Sequence, residues 1–375
     1  MWNPGVIGLI RKLKPNYVET HKNLTASKMR KNMKDRIRDI VSKEYSNTLG
    51  IVMYKDNEKV FEEYFSGADK DESVHTFSIA KSVVSLLVGI AIDKGYIESV
   101  NQKVLDFFPE YKLRRNQEQL KDLTIENFLT MTVPYKYKYE PYTKVFGSEN
   151  WGEKVLELIG GKEQIGETFH YSTMGIQVLS NILTKATGMS LKAFAQQYLF
   201  TPLGIPEVPD APIYDRESQE KFYKTRNIRG WAKDPSGFYT TGWGLSLTTD
   251  EFAKIGLLCL NKGVYNGQRV VSQEYLAEMV TEREKNYGYM WWIYGKNEKI
   301  KILRKEYNSG EFDAYCANGV GGSLVSVIPE INTVISISCS LVYNPKIRTE
   351  LINNYLIPYI KNLPSTSARN SSRQD

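Results

Sequence analysis

The stretch Thr76-Phe-Ser-Ile-Ala-Lys-Ser-Val-Val-Ser-Leu-Leu-Val-Gly-Ile-Ala-Ile-Asp93 predicts a buried helix that carries two polar groups at its start. Ser78 and Lys81 are three residues apart, so a helix projects both side chains from one face. A desolvated lysine can be neutral enough to take the proton of a serine hydroxyl, which makes that serine a nucleophile. The apolar residues that recur at helical spacing behind them are Ala80, Val84, Leu87, Val88 and Ala91.

The Ser-x-x-Lys pattern is the short motif of penicillin-recognising serine enzymes, and this chain contains it twice. The second copy, Ser218-Gln-Glu-Lys221, lies in a polar stretch without apolar flanks. For the first copy a structural alternative stays open, with Ser78 as the N-cap of a core helix and Lys81 as a solvated side chain. The remaining sequence has to decide between the two interpretations.

The composition is that of a globular protein. The chain has 375 residues, enough for one large domain or two interleaved ones, with 41% hydrophobic and 25% charged residues. The net charge is +6, but acidic residues lie between the basic ones along the chain, which argues against a nucleic-acid partner. No cluster of His, Cys and Asp has the spacing of metal ligands, so we expect neither a metal nor a cofactor.

Three features predict a cytoplasmic protein without a membrane segment. No apolar run is long enough to span a bilayer. The start, Met1 to Leu13, places its charges after a very short apolar core, which is the reverse of a signal peptide. Cys259, Cys316 and Cys339 are an odd number of cysteines in apolar contexts, which favours reduced thiols. The oligomeric state is not indicated.

Strand patterns occur near both ends of the chain, and helical patterns lie between them. A charged helix over 26–45 precedes a hairpin of 49–54 and 59–65. Near the other end a closing helix over 347–360 follows predicted strands at 287–294, 313–320, 323–328 and 333–339. The intervening helices are predicted at 123–131, 151–159, 176–186, 191–199 and 249–260, with a Tyr- and Lys-rich loop over 132–151.

This order predicts an α+β fold with one antiparallel sheet, flanked by N- and C-terminal helices, and an inserted all-helical region. The predicted organisation is a single interleaved domain over about 40–360. Its parts are an N-terminal extension at 1–22, a sheet region at 23–70 plus 285–363, a helical region at 71–284, and a disordered tail at 364–375.

A serine–lysine pair also needs a group that relays a proton and donors that hold an oxyanion. Tyr171 opens a buried helix and can relay the proton, provided that the lysine ammonium lowers its pKa; the alternative is a buried tyrosine with a satisfied hydroxyl. Gly319, in the turn between two predicted strands, would let a substrate approach closely. The N–H groups of Val320 and Ser78 could then form an oxyanion hole, although a plain glycine hairpin is the alternative.

In this order, these segments resemble the serine β-lactamase-like hydrolases, which include class C β-lactamases, related esterases, DD-peptidases and 6-aminohexanoate-dimer hydrolases. The resemblance runs from about Leu49 to Ile360 and implies a β-lactamase/transpeptidase-like fold. It rests on Ser78-Ile-Ala-Lys81, Gly95-Tyr-Ile97, the segment 123–131, Tyr171-Ser-Thr173, Phe200-Thr-Pro-Leu-Gly204, the segment 242–250, Tyr287-Gly-Tyr-Met-Trp-Trp292 and Ala317-Asn-Gly-Val-Gly-Gly322.

The resemblance implies that Ser78 is the acylated nucleophile, that Lys81 is its base partner, and that Tyr171 is the second acid and base. It also implies that the N–H groups of Ser78 and Val320 hold the oxyanion. Two positions depart from the family. Thr173 replaces the asparagine of the Tyr-x-Asn motif, and Ala317 replaces the strand lysine or histidine that usually meets a substrate carboxylate.

The absence of that strand cation favours a hydrolase of small carboxylic esters or linear amides over a penicillin-directed enzyme. The alternatives are a β-lactamase or DD-peptidase and a catalytically silent homologue that binds a ligand. The partner is therefore expected to be a small-molecule ester or amide. The candidate substrate-binding residues are Thr173, Trp243, Gly319, Tyr135 and Trp291.

Overall fold

The computed structural model describes residues 28–213, 215–302, 305–342 and 344–364. The predicted extension at 1–22 and, apart from Pro364, the predicted tail lie outside the described residues. The chain divides into two compact units, one made of the residues up to Ser46 together with those from Ile347, the other of Asn47–Lys346. The predicted domain boundaries divide the chain differently and stay a prediction.

Along the chain, the long strands lie near the two ends, and most of the helices lie between them. The helices are α1 (28–44), α2 (Ile79–Asp93), α3 (Ile125–Leu129), α4 (Tyr142–Phe146), α5 (Trp151–Leu156), α6 (Val178–Thr187), α7 (Leu191–Ala195), α8 (Arg216–Lys224), α9 (Thr249–Leu260), α10 (Gln273–Met279), α11 (Arg348–Leu351) and α12 (Ile357–Lys361). The strands are β1 (Thr48–Lys55), β2 (Glu58–Tyr64), β3 (Val74–His75), β4 (Ser246–Leu247), β5 (Val264–Tyr265), β6 (Gln268–Arg269), β7 (Trp292–Tyr294), β8 (Lys299–Ile302), β9 (Lys305–Asn308), β10 (Ala314–Asn318), β11 (Leu324–Ile328) and β12 (Thr333–Cys339).

The larger unit is built on a six-stranded antiparallel sheet in the order β2-β1-β12-β11-β10-β7. The β1–β2 hairpin turns at Asp56 and Asn57, which both have a positive φ, as a two-residue turn between twisted strands requires. β12 lies between β1 and β11 in the sheet, and all of its residues are buried. The predicted α+β class with one antiparallel sheet is therefore confirmed.

Helix α2 lies in the core of this unit. Every residue from Ile79 to Ala91 is buried, so the helix is enclosed on all sides. Two other predicted helices are also present, and each has a clear capping residue at one end. Thr124 caps α3 in a capping box with Asn127, and Gly188 ends α6 in the left-handed conformation.

Some predicted boundaries were wrong. The loop over 132–151 contains α4, and the strand predicted at 287–294 is reduced to β7 because Met290 has a φ of +57°. Helix α9 has the predicted bounds, but its N-cap is Thr248 rather than the Thr249-Asp250 pair that the sequence suggests as the cap. Helix α8 was missed because Phe222 is its only buried residue, which leaves no apolar stripe to detect.

Candidate active site

Ser78 and Lys81 meet at the start of α2. The Nζ atom of Lys81 lies 3.0 Å from the Oγ atom of Ser78 and donates a hydrogen bond to it. Ser78 occupies the N-cap position, but its side chain makes no capping hydrogen bond. The Lys81 side chain is buried, with 1% of its surface exposed. The alternative of a capping serine and a solvated lysine therefore disagrees with the structure.

Lys81 has two further acceptors, which come from distant parts of the chain. Its Nζ atom lies 2.8 Å from the carbonyl oxygen of Gly242 and 3.2 Å from the Oγ1 atom of Thr173. Burial lowers the pKa of Lys81 to about 7, although the nearby charge of Glu140 acts in the opposite direction. About half of the amine is therefore neutral near pH 7, in the state that can accept a proton.

Gly242 can approach Lys81 because it has no side chain. A Cβ atom at this position would lie 2.6 Å from the carbonyl oxygen of Thr173 and 3.3 Å from the Nζ atom of Lys81. The preceding residues are held by buried Gln177, whose Oε1 atom accepts the N–H of Thr241 at 3.1 Å. The sequence marked the Gly-rich segment at 242 as a family feature, but nothing in it identified this carbonyl as a lysine partner.

Tyr171 lies beside the same lysine. The Nζ atom of Lys81 is 5.0 Å from the centroid of the Tyr171 ring, and the Ser78 hydroxyl hydrogen-bonds the phenol. Burial raises the pKa of Tyr171 to about 12, and the bond from Ser78 only partly offsets this effect. The expectation that the lysine charge lowers this pKa was therefore wrong: Tyr171 is a neutral phenol at neutral pH, and Lys81 is the more readily available base.

Glu140 is a charged group near the site that the sequence analysis missed. Its carboxylate accepts the main-chain N–H groups of Thr173 and Met174, the latter at 3.2 Å, at the start of the helical turn that follows Tyr171. Its charge raises the pKa values of both Lys81 and Tyr171. An acidic residue in a long loop is common, so only the tertiary contact identifies it.

The turn after β10 comes close to the residues that precede Ser78. A Cβ atom on Gly319 would lie 2.6 Å from the carbonyl oxygen of Thr76, so only glycine allows this approach. Within the described ranges, the N–H groups of Ser78 and Val320 have no main-chain hydrogen-bond acceptor. Free N–H groups of this kind are what an oxyanion hole requires, and the assignment of these two stays a prediction.

The tryptophan beside Tyr171 is Trp292, whereas substrate contact by Trp291, the residue chosen from the sequence, stays a prediction. The Trp292 ring stacks on Tyr171 with a centroid separation of 5.9 Å and an interplanar angle of 27°. Trp291 has no exposed surface, and its ring contacts Tyr315 edge-on. Neighbouring residues in an extended segment point to opposite sides, which is why adjacent tryptophans have different surroundings.

The two other aromatic candidates are mostly enclosed by protein. Tyr135 is buried and stacks on Tyr137, and its hydroxyl oxygen would lie 2.1 Å from a Cβ atom on Gly175. Trp243 is also buried, in a cluster with the rings of Phe146, Trp151 and Tyr223 at centroid distances of 5.3 to 6.2 Å. Contact of either side chain with a substrate stays a prediction.

Neither a group of metal ligands nor a membrane-spanning helix is present in the described part of the chain. Within residues 28–213, 215–302, 305–342 and 344–364, no group of three or more His, Cys, Asp or Glu side chains is placed to hold a metal ion. Within the same ranges, no helix combines the length and the apolar character needed to cross a bilayer.

The chain is similar to proteins of one family. A family model described as Beta-lactamase matches residues 33–356. A curated 6-aminohexanoate-dimer hydrolase of Paenarthrobacter ureafaciens is 25% identical over 290 residues, which cover 69% of this chain and 67% of that protein.

Solved structures share the fold at low sequence identity. A crystal structure described as a putative beta-lactamase from Bacteroides dorei has a TM-score of 0.66 at 13% identity, and the match covers 87% of this chain and 97% of that one. A family VIII carboxylesterase has a TM-score of 0.62 at 15% identity, with coverage of 88% and 98%.

Proposed function

Since the chain belongs to the beta-lactamase family, a family of serine hydrolases that includes esterases and amidases, we propose that it forms an acyl-enzyme on Ser78 and cleaves small carboxylic esters or linear amides. The observation that carries the proposal is the contact between Lys81 and Ser78. A buried amine with a pKa of about 7 lies 3.0 Å from the hydroxyl of Ser78, a residue that is only partly buried.

In the acylation step, the neutral amine of Lys81 takes the proton of Ser78 while the Oγ atom attacks the substrate carbonyl carbon. The N–H groups of Ser78 and Val320 would stabilise the negative charge that forms on the carbonyl oxygen. The Tyr171 phenol, which is protonated at neutral pH, would give its proton to the leaving group and regain one from the Lys81 ammonium. Water then attacks the acyl-enzyme, which releases the acid and restores Ser78.

The choice of esters and linear amides rests on the strand beside the site. Ala317 replaces the cation that would meet the carboxylate of a penicillin, so a substrate without a carboxylate at that position suits this site better. Apolar surface is available nearby, because the Trp292 ring stacks on Tyr171 and Trp292 is partly exposed. The 6-aminohexanoate-dimer hydrolase of P. ureafaciens is named for a linear amide, which supports the amide branch.

The test is turnover of p-nitrophenyl esters of increasing chain length, a linear amide and nitrocefin, together with labelling by a fluorophosphonate probe. Ser78→Ala should abolish ester turnover and labelling, and mass spectrometry should locate the label on Ser78. Ser218→Ala is the matched control, because it removes the serine of the second Ser-x-x-Lys copy, which instead caps α8 with Asp215. Comparable turnover of nitrocefin would reverse the ranking of substrates, and absence of labelling would indicate a silent binding homologue.

A further inference from the structure

His75 is a buried histidine that does not touch the Ser78 hydroxyl, yet it contacts the main chain on two sides of the candidate site. It lies in β3 and has 5% of its surface exposed. The rings of Phe77, Phe222 and Tyr223 surround it edge-on, with centroid distances of 4.1, 5.2 and 5.2 Å. An imidazole enclosed by aromatic rings keeps one orientation, so the directions of its two nitrogens are determined by packing.

The first nitrogen faces the turn that delivers the nucleophile. The Nδ1 atom of His75 lies 3.1 Å from the main-chain nitrogen of Phe77, the residue directly before Ser78. Phe77 has a φ of +48°, in the left-handed region that bulky residues rarely adopt. Such a conformation is strained and persists only where surrounding contacts hold it. The imidazole is one of those contacts.

The second nitrogen faces the loop that positions Lys81. The Nε2 atom of His75 lies 2.9 Å from the main-chain nitrogen of Gly244. Two residues earlier in the same loop is Gly242, whose carbonyl oxygen accepts the hydrogen bond from Lys81. One imidazole therefore joins the main chain next to the nucleophile to the main chain next to the partner of the base.

A neutral imidazole has one ring nitrogen with a free lone pair, while the other carries a hydrogen. His75 can therefore accept a hydrogen bond from only one of the two facing N–H groups at a time. Protonation would remove the remaining acceptor, but burial lowers the pKa of His75 to about 3, so the ring is neutral over the range in which hydrolases are assayed.

We propose that His75 is a positioning residue of this hydrolase, because its imidazole accepts a hydrogen bond from the main chain on one side, packs against the main chain on the other, and so holds the Phe77–Ser78 turn and the Gly242–Gly244 loop in the mutual arrangement that places Ser78 against Lys81. The proposal rests on the function proposed above. A shift of about 1 Å between reacting groups can reduce a rate about 100-fold, so loss of this acceptor should appear in kcat. Substrate affinity should change little, since the imidazole is buried.

The experiment compares His75→Leu, His75→Asn and His75→Gln with the wild-type chain, using kcat and KM for a p-nitrophenyl ester and the rate of fluorophosphonate labelling. Leucine removes the single acceptor, whichever ring nitrogen carries it, and keeps much of the volume. The side-chain oxygen of asparagine can replace Nδ1, and that of glutamine can replace Nε2. We expect His75→Leu to lower kcat about tenfold or more with KM within about threefold, and at least one polar variant to regain most of the loss.

Phe222→Leu is the matched control, because it removes an aromatic contact with the same imidazole and no hydrogen bond. It should lower the melting temperature and leave kcat within about twofold. If His75→Leu does not fold, His75→Met replaces it as a more flexible apolar side chain. A folded apolar variant with wild-type kcat would overturn the proposal. Equal losses of kcat in all three His75 variants, in proportion to their loss of melting temperature, would also overturn it. In either case ester turnover would still depend on Ser78. Failure of the proposed function is a different result, because Ser78→Ala would then keep its turnover.

Discussion

The Nζ atom of Lys81 lies 2.8 Å from the carbonyl oxygen of Gly242, although the two residues are 161 positions apart in the chain. This contact, together with those to Ser78 and Thr173, fixes the direction of a lysine amine that has almost no exposure to water. Orientation and desolvation thus come from the same enclosure, which turns a surface-type residue into a candidate base near neutral pH.

The first prediction concerns the pH dependence of acylation. Only the neutral amine of Lys81 can accept a proton, so kcat/KM for a p-nitrophenyl ester should rise with pH through about 7. The charge of Glu140 raises this pKa, so Glu140→Gln should move the rise to lower pH. Glu140→Asp keeps the charge and is the control. A pH profile that is flat between pH 5 and 9 in the wild-type chain would contradict the role of Lys81.

The second prediction concerns stability at the same residue. The pKa of Lys81 falls from its ordinary 10.5 to about 7 on folding, so between these values the unfolded chain binds more protons than the folded one. The free energy of unfolding should therefore rise with pH over this window, by up to about 1.4 kcal/mol per pH unit. Lys81→Met removes that dependence and should also abolish acylation.

Denaturant unfolding at pH 7, 8 and 9 checks this second prediction. The stability of Lys81→Met relative to wild type should be greatest at pH 7 and should shrink as the pH rises. A difference between the two proteins that does not change with pH would show that the lysine is not desolvated as the structure describes.

The third prediction concerns the approach of the β10 turn to the nucleophile. Gly319→Ala introduces a Cβ atom 2.6 Å from the carbonyl oxygen of Thr76, so the turn that carries the Val320 N–H must move away from the segment that precedes Ser78. Loss of one oxyanion donor typically costs about 100- to 1000-fold in kcat. Gly166→Ala is the control for the added methyl group, because no atom lies within 4 Å of it; the φ of +80° at Gly166 makes this the more strained of the two backbones, since Gly319 has a φ of −115°. Retention of wild-type kcat in a folded Gly319→Ala variant would argue against the assigned oxyanion hole.

The local patterns of the sequence were sufficient for the fold. A run of apolar residues at helical spacing predicted α2, and the Asp56-Asn57 turn between two apolar runs predicted the β1–β2 hairpin. Both signals are local, since the periodicity of burial is written into consecutive residues. The partners of Lys81 could not be found in this way, because a carbonyl oxygen such as that of Gly242 is present at every position and only the tertiary fold selects one.

The error at Tyr171 has a physical cause as well. The pKa of Tyr171 depends on the balance between burial and nearby charges, and burial is a property of the folded chain rather than of the motif. The choice between Trp291 and Trp292 depends on a register of one residue, which reverses the side on which a side chain lies.

The fourth prediction concerns acid stability at His75. Burial lowers its pKa from the ordinary 6.5 to about 3, so the unfolded chain binds the proton first as the pH falls. Its contribution to the free energy of unfolding is complete above about 6.5 and should fall between 6.5 and 3, by up to about 1.4 kcal/mol per pH unit. His75→Asn should show a shallower loss of stability over this window. Parallel curves for the two proteins would show that His75 titrates normally.

The last prediction separates the two adjacent tryptophans by what they affect. Trp292 is partly exposed and stacks on Tyr171, so Trp292→Leu should change kcat/KM across a series of acyl chain lengths and leave the melting temperature within a few degrees. Trp291 has no exposed surface, and its truncation in Trp291→Leu leaves a cavity that should cost a few kcal/mol of stability. Kinetics at a temperature well below both melting points compare the folded forms alone. A changed chain-length profile in Trp291→Leu together with an unchanged profile in Trp292→Leu would reverse this assignment and restore Trp291 as the substrate-side ring.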